Sequence, residues 1–308
     1  MKYFDIVNGP EKVSAIIQGC MRMPALTKEE SADVIRTAYE CGVNFFDHAT
    51  CYGMGDAEIR FAEAFPLTGL KRDDIYIQSK CGICPDRREF DWTKENIISS
   101  VDGILERLKT DYIDTLLLHR PDLLFDPGEV AEAFSKLESA GKVRWFGVSN
   151  LMPMQIELLK KYVKQPLIIN QVQLSLEQSQ LIDQAFYMNN KTTDMSLNRD
   201  GSVLDYCRLH DIKIQAWSPL QIGMFKGTFI DDPNYPELNK ALAEIAEREG
   251  VSKTAVAIAW VLRHPAKMQA IIGSMNVSHI KDACDAVKVE ISHHDWYALY
   301  LASGKFLP

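Results

Sequence analysis

Short apolar runs alternate with helix-length amphipathic segments along the whole chain. The apolar runs fall at 15–19, 44–47, 75–80, 114–119, 145–149, 168–173, 213–217 and 270–273. Between them lie helical patterns at 28–41, 57–65, 93–109, 128–140 and 153–164, a weaker pair at 176–189 and 203–210, and two helices within 236–263. Such alternation is the signature of a parallel sheet with crossover helices. Eight strand–helix units predict an α/β fold of the (β/α)8 TIM-barrel type, formed as a single domain over residues 1–308.

Local signals agree with these boundaries. Gly42 in "ECGVNF" and Gly141 in "SAGKVRWFG" each stand just past a helix, where a left-handed cap residue is wanted. Thr27 and Glu30 have the spacing of a capping box for the first helix. The opening residues read as a β-hairpin around Asn8-Gly9, placed to close the bottom of the barrel. A helix over 278–287 follows the eighth strand, and 292–302 predicts a C-terminal helix outside the repeat. The polar, turn-rich stretch 189–202 reads as a surface loop near the barrel mouth.

Composition narrows the class. With 46% hydrophobic and 25% charged residues the chain is an ordinary globular one rather than a disordered one. A net charge of -8 and no basic run argue against nucleic acid as a partner. No apolar stretch reaches membrane-spanning length and the N-terminus lacks a leader-like apolar region, so a cytoplasmic protein is expected, as a monomer or weak homo-oligomer. Seven scattered cysteines form no disulfide framework. Cys81 and Cys84 are spaced as CxxC, but no second pair completes a zinc site.

In a barrel of this kind chemistry sits where strands end. The second strand ends at Asp47 in "GVNFFDHATCYG", with Tyr52 in the loop beyond; the third ends at Lys80, the fourth at His119. One rim therefore receives an acid, a phenol, an amine and an imidazole. An ammonium beside a phenol stabilises the phenolate, so Lys80 is expected to lower the pKa of Tyr52 and make it a proton donor and acceptor. Asp47 would hold Lys80 by a buried ion pair, and His119 could donate to an incoming carbonyl oxygen. The implied step is protonation of an oxygen gaining negative charge. Asp47, His48 and His119 also allow a metal-dependent hydrolase reading, yet no HxH pair stands at a strand end.

The motifs "GVNFFDHATCYG" with Glu58 following, "IQSK", "DTLLLHRPD", "GKVRWFGVSN", "INQVQLS", "AWSPL" and "IIGS" resemble, in order, those of the aldo-keto reductase superfamily. The resemblance implies a tetrad of Asp47, Tyr52, Lys80 and His119 serving an NAD(P)H-dependent reduction of aldehydes or ketones. It further implies that Ser149, Asn150 and Gln171 hold the nicotinamide carboxamide and that Trp217 stacks beneath the ring. Ser218, Leu220 and the loop from Gln221 through Gly223 to Lys226 would line the pyrophosphate.

The departures lie at the far end of the cofactor. After the eighth strand the family usually places basic residues that clamp the 2′-phosphate of NADP; Ser274 is retained, but Gly273, Asn276 and His279 stand where Lys or Arg commonly do, with Asp282 on the adenine side. NADP is the expected cofactor, with an atypical clamp that leaves NAD open and Lys226 or Lys281 as compensating cations. Met21, Met23, Cys51, Met54, Trp92 and Phe125 are candidates to surround a small-molecule carbonyl substrate, and Cys51 is a candidate oxidation-sensitive thiol. The rival reading is a cofactor-binding regulatory or scaffold protein of the same fold, like the superfamily's potassium-channel β subunits. The four intact groups argue against it.

Overall fold

A computed structural model describes residues 1–187, 193–197, 201–223 and 226–307. The chain opens with a two-stranded antiparallel hairpin, β1 (Tyr3–Phe4) and β2 (Val13–Ser14). The barrel begins with β3 (Ile16–Gly19), α1 (Lys28–Glu40), β4 (Phe45–Asp47), α2 (Asp56–Ala64) and β5 (Tyr76–Cys81). A small hairpin, β6 (Ile83–Cys84) and β7 (Glu89–Phe90), interrupts the alternation. The repeat then continues through α3 (Lys94–Leu108), β8 (Ile113–Leu118), α4 (Pro127–Ser139), β9 (Val143–Ser149), α5 (Pro153–Lys160) and β10 (Leu167–Gln173). Last come α6 (Gln180–Tyr187), α7 (Val203–Leu209), β11 (Lys213–Trp217), α8 (Pro236–Glu249), α9 (Lys253–Leu262), β12 (Gln269–Ile272), α10 (Val277–Cys284) and α11 (His293–Ala302).

The strands β3, β4, β5, β8, β9, β10, β11 and β12 pair in that order, all parallel, and β12 closes onto β3. All eight expected strands are present, with ends shifted by a residue or two. The added hairpin β6–β7 was not anticipated, because two-residue strands carry too few positions for a period to register. Most of the stretch expected as a surface loop at 189–202 lies outside the described residues, which retain a short turn at Asp194–Ser196.

Two apolar layers hold the barrel together. The larger lies between strands and helices and includes Val34, Phe46, Val101, Phe134, Phe146 and Trp260. The smaller lies inside the barrel, with Ile17, Phe45, Leu117, Ile169 and Ile271, and the N-terminal hairpin adds Ile6 and Val13 to it. The hairpin thus plugs the N-terminal end, leaving the C-terminal rim as the open one. Among the described residues no helix is long and apolar enough to cross a membrane.

Local devices match the expected ones. Thr27 Oγ1 accepts from Glu30 N at 3.2 Å while Glu30 Oε2 accepts from Thr27 N at 2.8 Å, completing the capping box. Gly42 and Gly141 end α1 and α4 at φ +88° and +69°. Their surroundings differ: a Cβ at Gly42 would lie 2.7 Å from Met1 Cβ, whereas one at Gly141 would meet nothing within 4 Å. Gly141→Ala is therefore expected to cost only the left-handed strain, about 1–2 kcal/mol in urea unfolding. Gly42→Ala should cost clearly more, because it also displaces the N-terminal residues; equal losses would mean that the N-terminus does not pack where described.

Candidate active site

Asp47 ends β4 with its carboxylate inside the barrel, and His48, one residue on, faces outward with its ring edge-on to Phe61 of α2 at 4.7 Å. The chain stays bonded to β5 past the strand end, with His48 N donating to Gln78 O at 2.8 Å and Thr50 N to Lys80 O at 3.0 Å. It then reverses into α2 through Gly53, Met54 and Gly55, all at positive φ. Tyr52 sits at the start of that reversal, which is why an apolar strand delivers a carboxylate and a phenol five positions apart to one place. Glu58 fastens the far side of the loop: it is buried, accepts from Ser79 Oγ at 2.7 Å, and pairs with Arg107 Nε at 2.7 Å.

Lys80 is fully buried. Its ammonium donates to Asp47 Oδ2 at 2.7 Å, His48 O at 2.8 Å and Tyr52 Oη at 3.0 Å, which accounts for all three of its N–H groups. Asp47 Oδ1 in turn accepts from Gln78 Nε2 at 2.7 Å and Gln171 Nε2 at 3.0 Å. Both amides also reach Gln215 Oε1, at 2.9 and 3.2 Å, and Gln215 Nε2 reaches Gln269 Oε1 at 3.2 Å. A buried layer of amides from β5, β10, β11 and β12 thus holds the carboxylate that holds the ammonium.

Burial pushes the Tyr52 phenol up to about 12, with Lys80 pulling the opposite way and Asp47 adding to the rise. The net lowering expected from an adjacent ammonium is therefore not reached, since desolvation outweighs it. Burial also opposes the charge on Lys80, but Asp47 and the phenol prevail and hold the ammonium above its ordinary value. His119 is kept well below its ordinary value by burial and by the charges of Lys80 and Arg120, so its ring is neutral.

The His119 ring lies perpendicular to Tyr52 with centroids 6.0 Å apart, which brings the fourth expected residue to the same rim. Its Nδ1 is 3.6 Å from Cys51 Sγ. Burial raises the Cys51 pKa, so the thiol keeps its proton and can donate it to Nδ1, leaving Nε2–H as the imidazole's donor. Beside it the Arg120 guanidinium lies 5.7 Å from the centre of the Trp217 ring.

The residues expected to hold a nicotinamide flank this cluster. Asn150 Nδ2 donates to His119 O at 3.2 Å and Ser149 Oγ at 2.8 Å, and Asn150 Oδ1 accepts from Trp217 Nε1 at 3.1 Å. Ser149 Oγ donates to Gln171 O at 2.9 Å. One lone pair remains on Asn150 Oδ1, and Gln171 Oε1 accepts nothing from the described residues. Those two oxygens suit the N–H groups of a carboxamide, and the half-buried Trp217 offers a flat ring beside them. For a nicotinamide carboxamide these free acceptors fit.

Farther round the rim, Ser218 O accepts from Gln221 N at 3.1 Å and Leu220 O from Phe229 N at 3.3 Å. Lys226 N donates to Gly223 O at 3.2 Å; residues 224 and 225 of the expected pyrophosphate loop lie outside the described residues. Beyond β12, Ser274 Oγ accepts from Asn276 N at 3.2 Å, and Asn276 caps α10. His279 and Lys226 are exposed and Asp282 half-exposed. Of the candidate substrate contacts, Met23 and Trp92 are sealed in the core, while Cys51 and Met54 are accessible and Phe125 packs on Trp92. The motifs did not single out Gln78 or Gln215. A signal existed: Gln78 and Gln215 stand two residues before Lys80 and Trp217, hence on the same inward face of their strands.

The sequence profile of the Aldo/keto reductase family matches residues 15–300. The chain is 34% identical over 307 residues to 6-dehydroglucose reductase of Agrobacterium fabrum, covering 96% of each. It is 33% identical to oxidoreductase YdhF of Escherichia coli, covering 96% of this chain and 95% of that one. Among solved structures, the thermostable aldo-keto reductase Tm1743 superposes with a TM-score of 0.78 at 24% identity, covering 98% of this chain and 100% of its own, a likeness of fold.

Removing one member of a buried ion pair strands the other. Lys80→Met is expected to lower stability by about 3–5 kcal/mol in urea unfolding, and adding Asp47→Asn should recover part of that loss. A single variant as stable as the parent would mean that the pair contributes no buried charge.

Proposed function

The chain belongs to the aldo/keto reductase family, and we propose that it is an NAD(P)H-dependent oxidoreductase that reduces an aldehyde or ketone to an alcohol. The observation that carries this reading is Lys80 Nζ donating at once to Asp47, His48 O and Tyr52 Oη. That arrangement is suited to a proton donor that must become an anion without leaving its place.

The reduced nicotinamide supplies hydride when bound. Asn150, Gln171 and Trp217 would hold its carboxamide and ring, and Ser218, Leu220 and the loop at Gln221 its pyrophosphate. The neutral His119 donates Nε2–H to the substrate oxygen and fixes its direction. Tyr52 keeps its proton up to about pH 12 and so meets the developing alkoxide as an acid. As its proton leaves, the phenolate is stabilised by Lys80 at hydrogen-bond distance, which reduces the cost of forming an anion in a dry site. Four chemical groups gathered at one rim favour turnover over the binding-only alternative.

For the substrate, the name of the A. fabrum relative makes an aldehyde-bearing sugar a first member of any test panel. With NADPH or NADH and such a panel, Tyr52→Phe is expected to reduce turnover by about 10²–10⁴-fold while nucleotide binding, read by tryptophan fluorescence, persists. Near-normal turnover would remove Tyr52 as the donor. The pH profile of reduction should be flat across the neutral and mildly alkaline range, because His119 stays neutral above its ordinary 6.5 and Tyr52 stays protonated to about 12. An acid limb near 6.5 would instead require a His119 that titrates there.

A further inference from the structure

We propose that Arg22 is the cation that binds the 2′-phosphate of NADP(H) in this protein, replacing the basic side chain that position 273 lacks. The inference rests on the nicotinamide reading above and identifies which residue recognises the phosphate.

Arg22 follows β3, which pairs with β12 where the barrel closes. Its guanidinium crosses to that neighbour, and Nη1 donates to Gly273 O at 3.0 Å. A Cβ at Gly273 would lie 2.8 Å from Arg22 Nη1 and, its own chain neighbours aside, within 4 Å of no other heavy atom. Gly273 is outside the left-handed region, so its backbone does not require glycine. The missing side chain instead leaves a space, and the guanidinium of Arg22 stands in it. A cation absent from the end of β12 is supplied from the loop after β3.

The other arm of the guanidinium points along the same groove. Gln221 satisfies its surroundings when its amide nitrogen donates to Ser218 Oγ at 3.2 Å and Gly223 O at 3.1 Å; its oxygen then accepts from Arg22 Nη2 at 3.1 Å. Gln221 is itself tied to the β10 side of the rim through Ser175 Oγ, which donates to its carbonyl at 2.9 Å. Arg22 therefore bridges the two segments that would flank the nucleotide's phosphates. It does so on neutral oxygens only: among the described residues no carboxylate lies within ion-pair distance of it. Most of its N–H donors remain for a ligand, in the planar fork that matches phosphate oxygens. Lys226 and Lys281 lack this placement, since neither bonds to the end of β12, whereas Arg22, itself exposed, does.

The test compares binding of NADPH, NADH, 2′,5′-ADP and 5′-AMP, by tryptophan fluorescence and calorimetry, to the full-length parent, Arg22→Ala and Arg22→Lys. The parent should bind 2′,5′-ADP more tightly than 5′-AMP. Arg22→Ala should weaken NADPH and 2′,5′-ADP by about tenfold or more and leave NADH and 5′-AMP nearly unchanged, with Arg22→Lys recovering part of the loss. Gly273→Lys in the Arg22→Ala background should restore NADPH binding, because the vacated space then takes the lysine. Equal weakening of NADPH and NADH would place Arg22 on the pyrophosphate and overturn the assignment; so would no effect on either. A parent that binds both nucleotides while Arg22→Ala changes nothing leaves the oxidoreductase reading standing, whereas a parent that binds neither removes both.

Discussion

A positive charge with no access to water sits at the centre of this molecule, and the groups bonded to it are placed to make that tolerable. The Lys80 ammonium has three N–H groups and three acceptors, an anion, a carbonyl and a phenol, all within 3.0 Å. Desolvating a charge is costly unless its partners are fixed in advance. Here they are fixed from several directions: the carboxylate by amides from opposite sides of the barrel, the carbonyl by a backbone bonded to β5, and the phenol by a reversal through Gly53 and Gly55.

The same constraint divides the barrel interior. Part of it is apolar, with the N-terminal hairpin packed against that part; the rest is a set of glutamines whose amides bond one another before they meet Asp47. Gln171 belongs to both functions, since its nitrogen serves Asp47 while its oxygen is left for a ligand. Its pairing ties the seat of a carboxamide to the seat of the charge through one side chain.

The fold was legible because buried parallel strands write their apolar runs plainly, and because Gly42, Gly141 and the Thr27 box punctuate them. Asp47, Tyr52, Lys80 and His119 were legible because strand ends in a barrel share one rim. What lay beyond reach was the balance of opposing effects. Adjacency of Lys80 to Tyr52 suggested a lowered phenol pKa, but burial, which no spacing reports, proved the larger influence. Contacts between distant strands were equally hidden: nothing local to Cys51 indicates that its thiol faces His119, and nothing local to Arg22 indicates that it fills the space beside Gly273.

The link between Lys80 and Tyr52 can be measured on the resting protein. Tyrosine ring carbon NMR, with Tyr52 assigned by its loss in Tyr52→Phe, follows that phenol through an alkaline titration in the parent and in Lys80→Met. Ionisation near pH 12 in the parent, moving higher once the ammonium is gone, is the expected result. A Tyr52 titration unchanged by loss of Lys80 would contradict the central role given to that buried charge.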